Sequence, residues 1–324
     1  MCVRCLCRRT GNPYVCEACM SKKLLLIYNP TSGKAQVKSR LSDIIDVFAG
    51  GGYDVTVRPT QGPDDAYNTT CEKAGCFDLL VVCGGDGTLN ECVRGLLTLP
   101  PGNRKPLGYI PAGSTNDFAS TLGIPKNLVK AAQNVLAGKP FACDAGRFNE
   151  GNFVYIAAFG AFTDVSYDTP QKFKNIFGHA AYLLEGIRRL PNIKPSHIRV
   201  NYGDGTIEGD YILGMVTNTR SVGGFKDRGG LGAKLDDGLF EVILFKNPNN
   251  PIELQNMVAD FMKRNFSSPY CHVFRASHAV ITAQEPIGWT LDGENGGNHK
   301  TVEIENLPKA FTVIAGAGSD VFDS

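Results

Sequence analysis

The apolar run Leu79-Leu80-Val81-Val82-Cys83 passes directly into Gly84-Gly85-Asp86-Gly87-Thr88-Leu89-Asn90, and this join constrains the fold more than any other stretch of the chain. Consecutive apolar residues without polar alternation describe a short buried strand. Three glycines then free the backbone to adopt dihedrals closed to other residues and to approach a bulky anion. The spacing from Thr88 to Leu97 is helical, so the turn opens onto a helix N-terminus, where unpaired N–H groups favour negative charge. Asp86 is the exception. A carboxylate in a phosphate-facing loop repels its ligand unless a metal ion lies between them or the carboxylate handles a proton. A tight strand–helix turn with a capping Asp or Thr has the same composition, so the reading depends on what accompanies it.

Two further turns accompany it. Leu24-Leu25-Leu26-Ile27-Tyr28 runs into Asn29-Pro30-Thr31-Ser32-Gly33-Lys34, and Leu107-Gly108-Tyr109-Ile110 runs into Pro111-Ala112-Gly113-Ser114-Thr115-Asn116-Asp117. Neither has the Walker spacing G-x-x-x-x-G-K-[ST]. Each follows a strand, and in an open parallel sheet the carboxyl ends of the strands are where ligands bind. Alternation supports such a sheet: strands at residues 24–28, 54–58 and 79–83 are separated by helical patterns at 37–50 and 64–74. The alternation ends near Ala142. Beyond it, runs rich in aromatic and β-branched residues at 152–158, 197–202, 209–218, 239–245 and 278–283 read as antiparallel strands, with one helix over 170–189.

Length agrees, since 324 residues exceed what one core usually holds. The expected fold class is therefore α/β plus β: a doubly wound parallel-sheet nucleotide-binding domain, then a mainly antiparallel β-sandwich. The boundaries expected are a cysteine-rich extension at 1–21, a nucleotide-binding unit at 22–142, and a β-rich unit at 143–308. The final strand and tail, 309–324, return to the first unit. A net charge of +1 gives no general attraction to nucleic acid. The longest apolar stretch, 153–159, is too short to span a bilayer, and the opening residues lack the apolar core of a secretory signal. A cytoplasmic protein is expected.

The residues Asn29-Pro30-Thr31-Ser32-Gly33, Gly84-Gly85-Asp86-Gly87-Thr88, Gly113-Ser114-Thr115-Asn116-Asp117 and Leu291-Asp292-Gly293-Glu294 together resemble the diacylglycerol kinase catalytic-domain family. The resemblance is greatest to its soluble bacterial lipid kinases, and it covers roughly residues 22–322. Ser114 stands where that family usually has threonine, which keeps the hydroxyl. The resemblance implies transfer of the ATP γ-phosphate to the primary hydroxyl of a lipid, most readily diacylglycerol. ATP would be cradled by Asn29, Pro30, Thr31, Ser32, Gly33, Thr60, Gly84, Gly85, Asp86, Gly87, Thr88, Leu89, Asn90, Ser114 and Thr115, with Asp86 engaging a catalytic Mg²⁺. Phosphoryl transfer to an alcohol needs a group to accept the hydroxyl proton, and a carboxylate is the usual choice. By resemblance the Leu291–Glu294 motif reaches across the interdomain cleft to supply it. Glu294 is favoured as the base and Asp292 as the residue that positions the site.

Lys234-Leu235-Asp236-Asp237-Gly238-Leu239 offers tandem carboxylates in a tight loop, suited to a hard cation, although Asp-Gly is also a common hairpin turn. The resemblance implies a structural Mg²⁺ held by the backbone of Lys234 and Leu239 and the carboxylate of Asp237. Cys2-x-x-Cys5 and Cys16-x-x-Cys19 have the double-pair spacing of a structural Zn²⁺ knuckle. This extension is not part of the family pattern. The lipid acceptor implies peripheral association with the inner face of the membrane. Basic and apolar residues mixed over 172–177, with Arg188-Arg189-Leu190, offer an interfacial surface or else a core-facing helix. Edge strands of the second domain would allow a homodimer. Two other functions compete: an NAD kinase-like small-molecule kinase, which shares the Gly-Gly-Asp-Gly-Thr loop, and a catalytically silent nucleotide or lipid sensor. No motif reads the identity of the lipid.

Overall fold

The computed structural model describes residues 21–33, 37–113, 116–160, 194–203, 205–218, 221–222, 225–226, 233–263, 265 and 267–322. Cys2, Cys5, Cys16 and Cys19, the pair Ser114-Thr115, and the helix expected over 170–189 lie outside them.

Strands β1 (Lys22–Tyr28), β2 (Tyr53–Pro59), β3 (Leu79–Gly84) and β4 (Leu107–Pro111) pair in parallel in the order β2-β1-β3-β4. The inner strands are apolar without alternation because both faces are covered, and Leu24 to Ile27 and Leu80 to Cys83 are fully buried. The edge strand β2 alternates between exposed and half-buried residues instead. Helices α1 (Val37–Gly50), α2 (Asp65–Lys73), α3 (Asp86–Leu97), the short α4 (Asp117–Thr121) and α5 (Leu128–Ala137) fill the connections. Packing pairs α1 with α5 and α2 with α3. The inward stripe of α1, Val37, Ile44 and Phe48, has the spacing of one helical face.

Strand β5 (Lys139–Phe148) leaves this sheet antiparallel to β15 (Glu294–Ala315), the longest element among the described residues. Between them lie β6 (Gly151–Phe153), β7 (Ile156–Gly160), β8 (Ser196–Tyr202), β9 (Gly205–Thr217), the two-residue pair β10 (Ser221–Val222) and β11 (Phe225–Lys226), β12 (Phe240–Lys246), β13 (Cys271–Ala276) and β14 (His278–Leu291). All of their recorded pairings are antiparallel. Trp289 anchors the second core, its ring centroid 4.9 Å from that of Phe159 and 5.1 Å from that of Phe148. Burial of an aromatic of this size contributes about 2–3 kcal/mol.

β15 joins the two halves. Its first part pairs with β14, its last part pairs with β5, and Val313 sits beside Leu107 of β4 in parallel register. The register slips between Leu307 and Phe311, where Lys309 takes a positive φ of 50°.

Two expectations need correction. The single strand expected over 152–158 is two strands, β6 and β7, because the backbone N–H groups of Val154, Tyr155 and Ile156 turn toward the Asp292 carboxylate. The second half also holds a further helix, α6 (Pro251–Lys263). Its start is a reciprocal cap: Asn250 Oδ1 accepts from the Glu253 N–H at 2.9 Å, and Glu253 Oε2 accepts from the Asn249 N–H at 2.8 Å. Met257 of α6 joins Ile243, Phe245 and Leu213 in a third apolar cluster. Among the described residues no helix is long and apolar enough to cross a membrane.

Candidate active site

The three glycine-bearing turns meet at the carboxyl ends of β1, β3 and β4. Backbone bonds stitch them together: the Asn29 N–H donates to Cys83 O at 2.9 Å and the Ala112 N–H to Gly84 O at 2.7 Å. Gly85 and Gly113 touch backbone to backbone, since a Cβ on Gly113 would stand 2.6 Å from Gly85 Cα. No other residue type permits that approach. Within the first turn Asn29 Oδ1 accepts from the Thr31 N–H at 2.9 Å and from Thr31 Oγ1 at 2.8 Å, while Asn29 Nδ2 donates to Thr88 Oγ1 at 3.3 Å. Pro30 and Ser32 are half-buried on the same turn, and Thr31 and Gly33 are exposed. Thr60 lies at the end of β2 with its N–H on Tyr28 O at 2.9 Å, which brings it to the same edge.

Asp86 begins α3, half-buried. The buried Tyr109 hydroxyl lies 3.4 Å from Asp86 Oδ1, and equally far from Gly84 O and Asn116 Oδ1. Burial, together with the Asp86 charge, holds that phenol well above its ordinary range, so it remains a donor. Asn116, at φ 55°, closes the third turn by accepting from the Gly113 N–H at 2.9 Å and donating to Gly113 O at 2.8 Å. It shapes the loop.

Two residues expected around a nucleotide face elsewhere. Leu89 is 1% exposed and belongs to the core. Asn90 is buried, and its Nδ2 donates to Asp292 Oδ2 from the other half of the molecule.

Asp292 sits at the turn between β14 and β15 at φ 51° and is 5% exposed. Its carboxylate accepts from the N–H groups of Val154 at 2.6 Å, Tyr155 at 2.9 Å and Ile156 at 2.9 Å, as well as from Asn90. Burial pushes this carboxyl up to about 6 against the pull of those donors. Two residues on, Glu294 is exposed, with Oε1 3.3 Å from the position a Cβ would occupy on Gly87. The structure thus brings Glu294, Asp86 and the three glycine turns together, with the Glu294 carboxylate beside Gly87 and without a hydrogen-bond partner among the described residues.

The loop that carries Lys234, Asp237 and Leu239 is tied to Asp144, a residue that the sequence did not single out as a site, through Leu235 O, which accepts from the Asp144 N–H at 2.7 Å, and through Gly238. Asp144 is fully buried; its Oδ2 accepts from the Gly238 N–H and its Oδ1 from the Lys309 N–H, both at 2.7 Å. Asp237 accepts from the Leu239 N–H at 3.1 Å and pairs with Arg275, which also reaches Glu241 Oε1 at 3.1 Å. Glu241 Oε2 is buried without a partner among the described residues. The signal for Asp144 was a lone acid in the run Phe141-Ala142-Cys143-Asp144-Ala145-Gly146, which marks a charge that must be paired inside.

Over most of its length the chain is similar to known proteins. A family model described as diacylglycerol kinase catalytic domain matches residues 23–148, and one described as YegS C-terminal NAD kinase beta sandwich-like domain matches residues 160–315. A diacylglycerol kinase of Bacillus subtilis (strain 168) is 36% identical over 278 residues, covering 85% of this chain and 91% of that protein. One from Staphylococcus aureus (strain bovine RF122 / ET3-1) is 35% identical over 299 residues, covering 91% and 93%. A solved structure of a diacylglycerol kinase from Bacillus anthracis str. Sterne superposes with a TM-score of 0.78 at 28% identity, covering 91% of this chain and 97% of that one. Kinases in general use ATP and a divalent metal ion. With a catalytic domain followed by a β-sandwich-like domain, and with relatives of this similarity over most of its length, the chain belongs to the diacylglycerol kinase family of lipid kinases.

Proposed function

We propose that this lipid kinase transfers the γ-phosphate of ATP to the primary hydroxyl of diacylglycerol, or of a lipid with the same terminal alcohol, with Glu294 as the base. The observation that carries the reading is the approach of Glu294 Oε1 to Gly87, 3.3 Å from the Cβ position of that glycine. A carboxylate held against the loop that faces the phosphates is within reach of an incoming hydroxyl, and proton removal in the transition state by such a group is worth about 10²–10⁴-fold in rate. Asn29 to Gly33, Thr60, Gly84 to Thr88 and Ser114-Thr115 supply backbone N–H groups and small hydroxyls for the nucleotide. Asp86 would hold Mg²⁺, which neutralises charge on the transferring phosphoryl group. The Tyr109 hydroxyl orients that carboxylate from beneath.

Doubly wound topology in residues 22–142 with 309–324 is supported by the parallel pairing and the two helix pairs. A lipid-binding unit at 143–308 is supported by the separate core around Trp289. A structural Mg²⁺ at Lys234, Asp237 and Leu239 rests on the tight loop and its tandem carboxylates. A Zn²⁺ knuckle at Cys2, Cys5, Cys16 and Cys19 and docking on the inner face of the membrane rest on the sequence. A homodimer would use β13, which ends the main sheet.

The test is transfer of labelled γ-phosphate from ATP with Mg²⁺ to a panel of lipids in mixed micelles, with NAD as a soluble control. Labelled diacylglycerol that disappears in Asp86→Asn and Glu294→Gln is the expected result. Labelling of NAD alone, or full turnover in both variants, would overturn the reading.

A further inference from the structure

The turn carrying Glu294 is held far more firmly than a connection between two strands requires. The Asp292 N–H donates to Ile156 O at 2.8 Å, the Tyr155 hydroxyl donates to Asp292 O at 3.3 Å, and the carboxylate accepts from three backbone N–H groups and one amide. These contacts come with a positive φ at a non-glycine residue, an interrupted strand and a buried carboxyl. Local strain of this kind is found where the surroundings over-determine a functional geometry.

Every group gripping Asp292 lies in the second half except one. Asn90 reaches it from α3, 202 residues away in sequence. Gly87, whose vacant side meets Glu294, lies three positions earlier on the same helix. Positions i and i+3 share a helix face. One face of α3 therefore presents the glycine over which Glu294 stands and the amide that grips the turn carrying Glu294.

We propose that Asn90 is a positioning residue for the base: it acts through Asp292 to hold Glu294 over Gly87, and it does not bind the nucleotide. The inference rests on the reading of Glu294 as the base. The helix that opens from the phosphate loop thereby also sets the distance from that loop to the proton acceptor.

The experiment is steady-state kinetics of Asn90→Ala, with kcat and the KM for ATP measured separately and each variant checked for stabilisation by ATP with Mg²⁺. A base displaced by about 1 Å loses on the order of 10²-fold in rate. The expected result is a kcat lower by about that factor with the KM for ATP within about twofold of the parent. In a Glu294→Ala background, Asn90→Ala should then cause no further loss, because both changes remove the same function. Asn90→Ser, which keeps a donor on a smaller side chain, should fall between the parent and Asn90→Ala and gives a readout if the alanine variant fails to fold. A KM for ATP raised tenfold or more with kcat preserved would overturn the proposal, as would full additivity with Glu294→Ala. Retention of turnover by Glu294→Ala alone would instead sink the reading of the base, so the two failures are distinguishable.

Discussion

Asp144 offers the sharpest test of how the two halves are joined. Its two oxygens accept from the N–H groups of Gly238 and Lys309, both at 2.7 Å, inside a region from which water is excluded. Asp144→Ala removes both acceptors. Hydrogen bonds to a charged group contribute about 1.5–3 kcal/mol each, and an orphaned buried donor costs about 1–3 kcal/mol. Some of this is returned, because the carboxyl itself is disfavoured by burial, which raises it from its ordinary range. The net loss is about 3 kcal/mol for alanine. It is about 2 kcal/mol for Asp144→Asn, which keeps one acceptor and turns an N–H against the other donor. At about 2 °C per kcal/mol for a chain of this size, the unfolding midpoint should fall by about 6 °C and 4 °C. Thermal denaturation reads the total, and amide hydrogen exchange reads the site, since the Gly238 and Lys309 amides should lose protection together in the alanine variant. A midpoint lowered by less than about 1 °C in both variants, with those amides still protected, would refute the reasoning.

Burial pushes the Glu241 carboxyl from its ordinary 4.5 up to about 7, against the pull of Arg275. The folded state therefore binds this proton more tightly than the unfolded chain. Its stabilising contribution is full below pH 4.5 and is lost as pH rises to about 7, so the parent should lose about 3 kcal/mol relative to Glu241→Gln across that window. Denaturant titration of both proteins with chelator present should show the two curves converging toward low pH. Gly87→Ala places a methyl group against Glu294 Oε1 at 3.3 Å and should lower kcat by about tenfold or more with little change in thermal midpoint. Unchanged kcat there would remove the argument for Glu294. Arg104 donates to Leu97 O, Leu99 O and Ala310 O at 3.3, 2.9 and 2.6 Å. Arg104→Ala should therefore cost about 2–3 kcal/mol by denaturant unfolding, with activity retained below the transition.

The first half was legible because its signals are local. Uninterrupted apolar strands, glycine turns and the Val37, Ile44, Phe48 stripe lie within a few residues of what they specify. The meeting of the three glycine turns was legible for the same reason, since each lies at the end of its own strand. What stayed hidden depends on partners distant in sequence. Nothing near Val154-Tyr155 says that the strand must open there, because the group it opens toward is Asp292. Asn90 belongs to a glycine-loop motif, and its motif-mates suggested the nucleotide; its actual partner is set by tertiary structure. Helix α6 was missed although Asn250 and Glu253 spell out its cap, because the β texture on either side outweighed a signal four residues long.

The last feature of note is the course of β15. Leu107 of β4 acquires Val313 as its neighbour, and Glu294 begins the same strand. During synthesis, the parallel sheet can assemble as far as β4 from the first hundred or so residues, but it keeps an open edge until the chain has been made as far as Val313. Long-range pairing of this kind is slow to form and leaves strand edges exposed while it waits. Glu294 at one end of β15, the proposed base, and the sheet contact at the other are therefore acquired in the same late step. A nascent chain that has not yet reached it holds the glycine turns of β1, β3 and β4 without the Asp292–Glu294 turn that packs against Gly87.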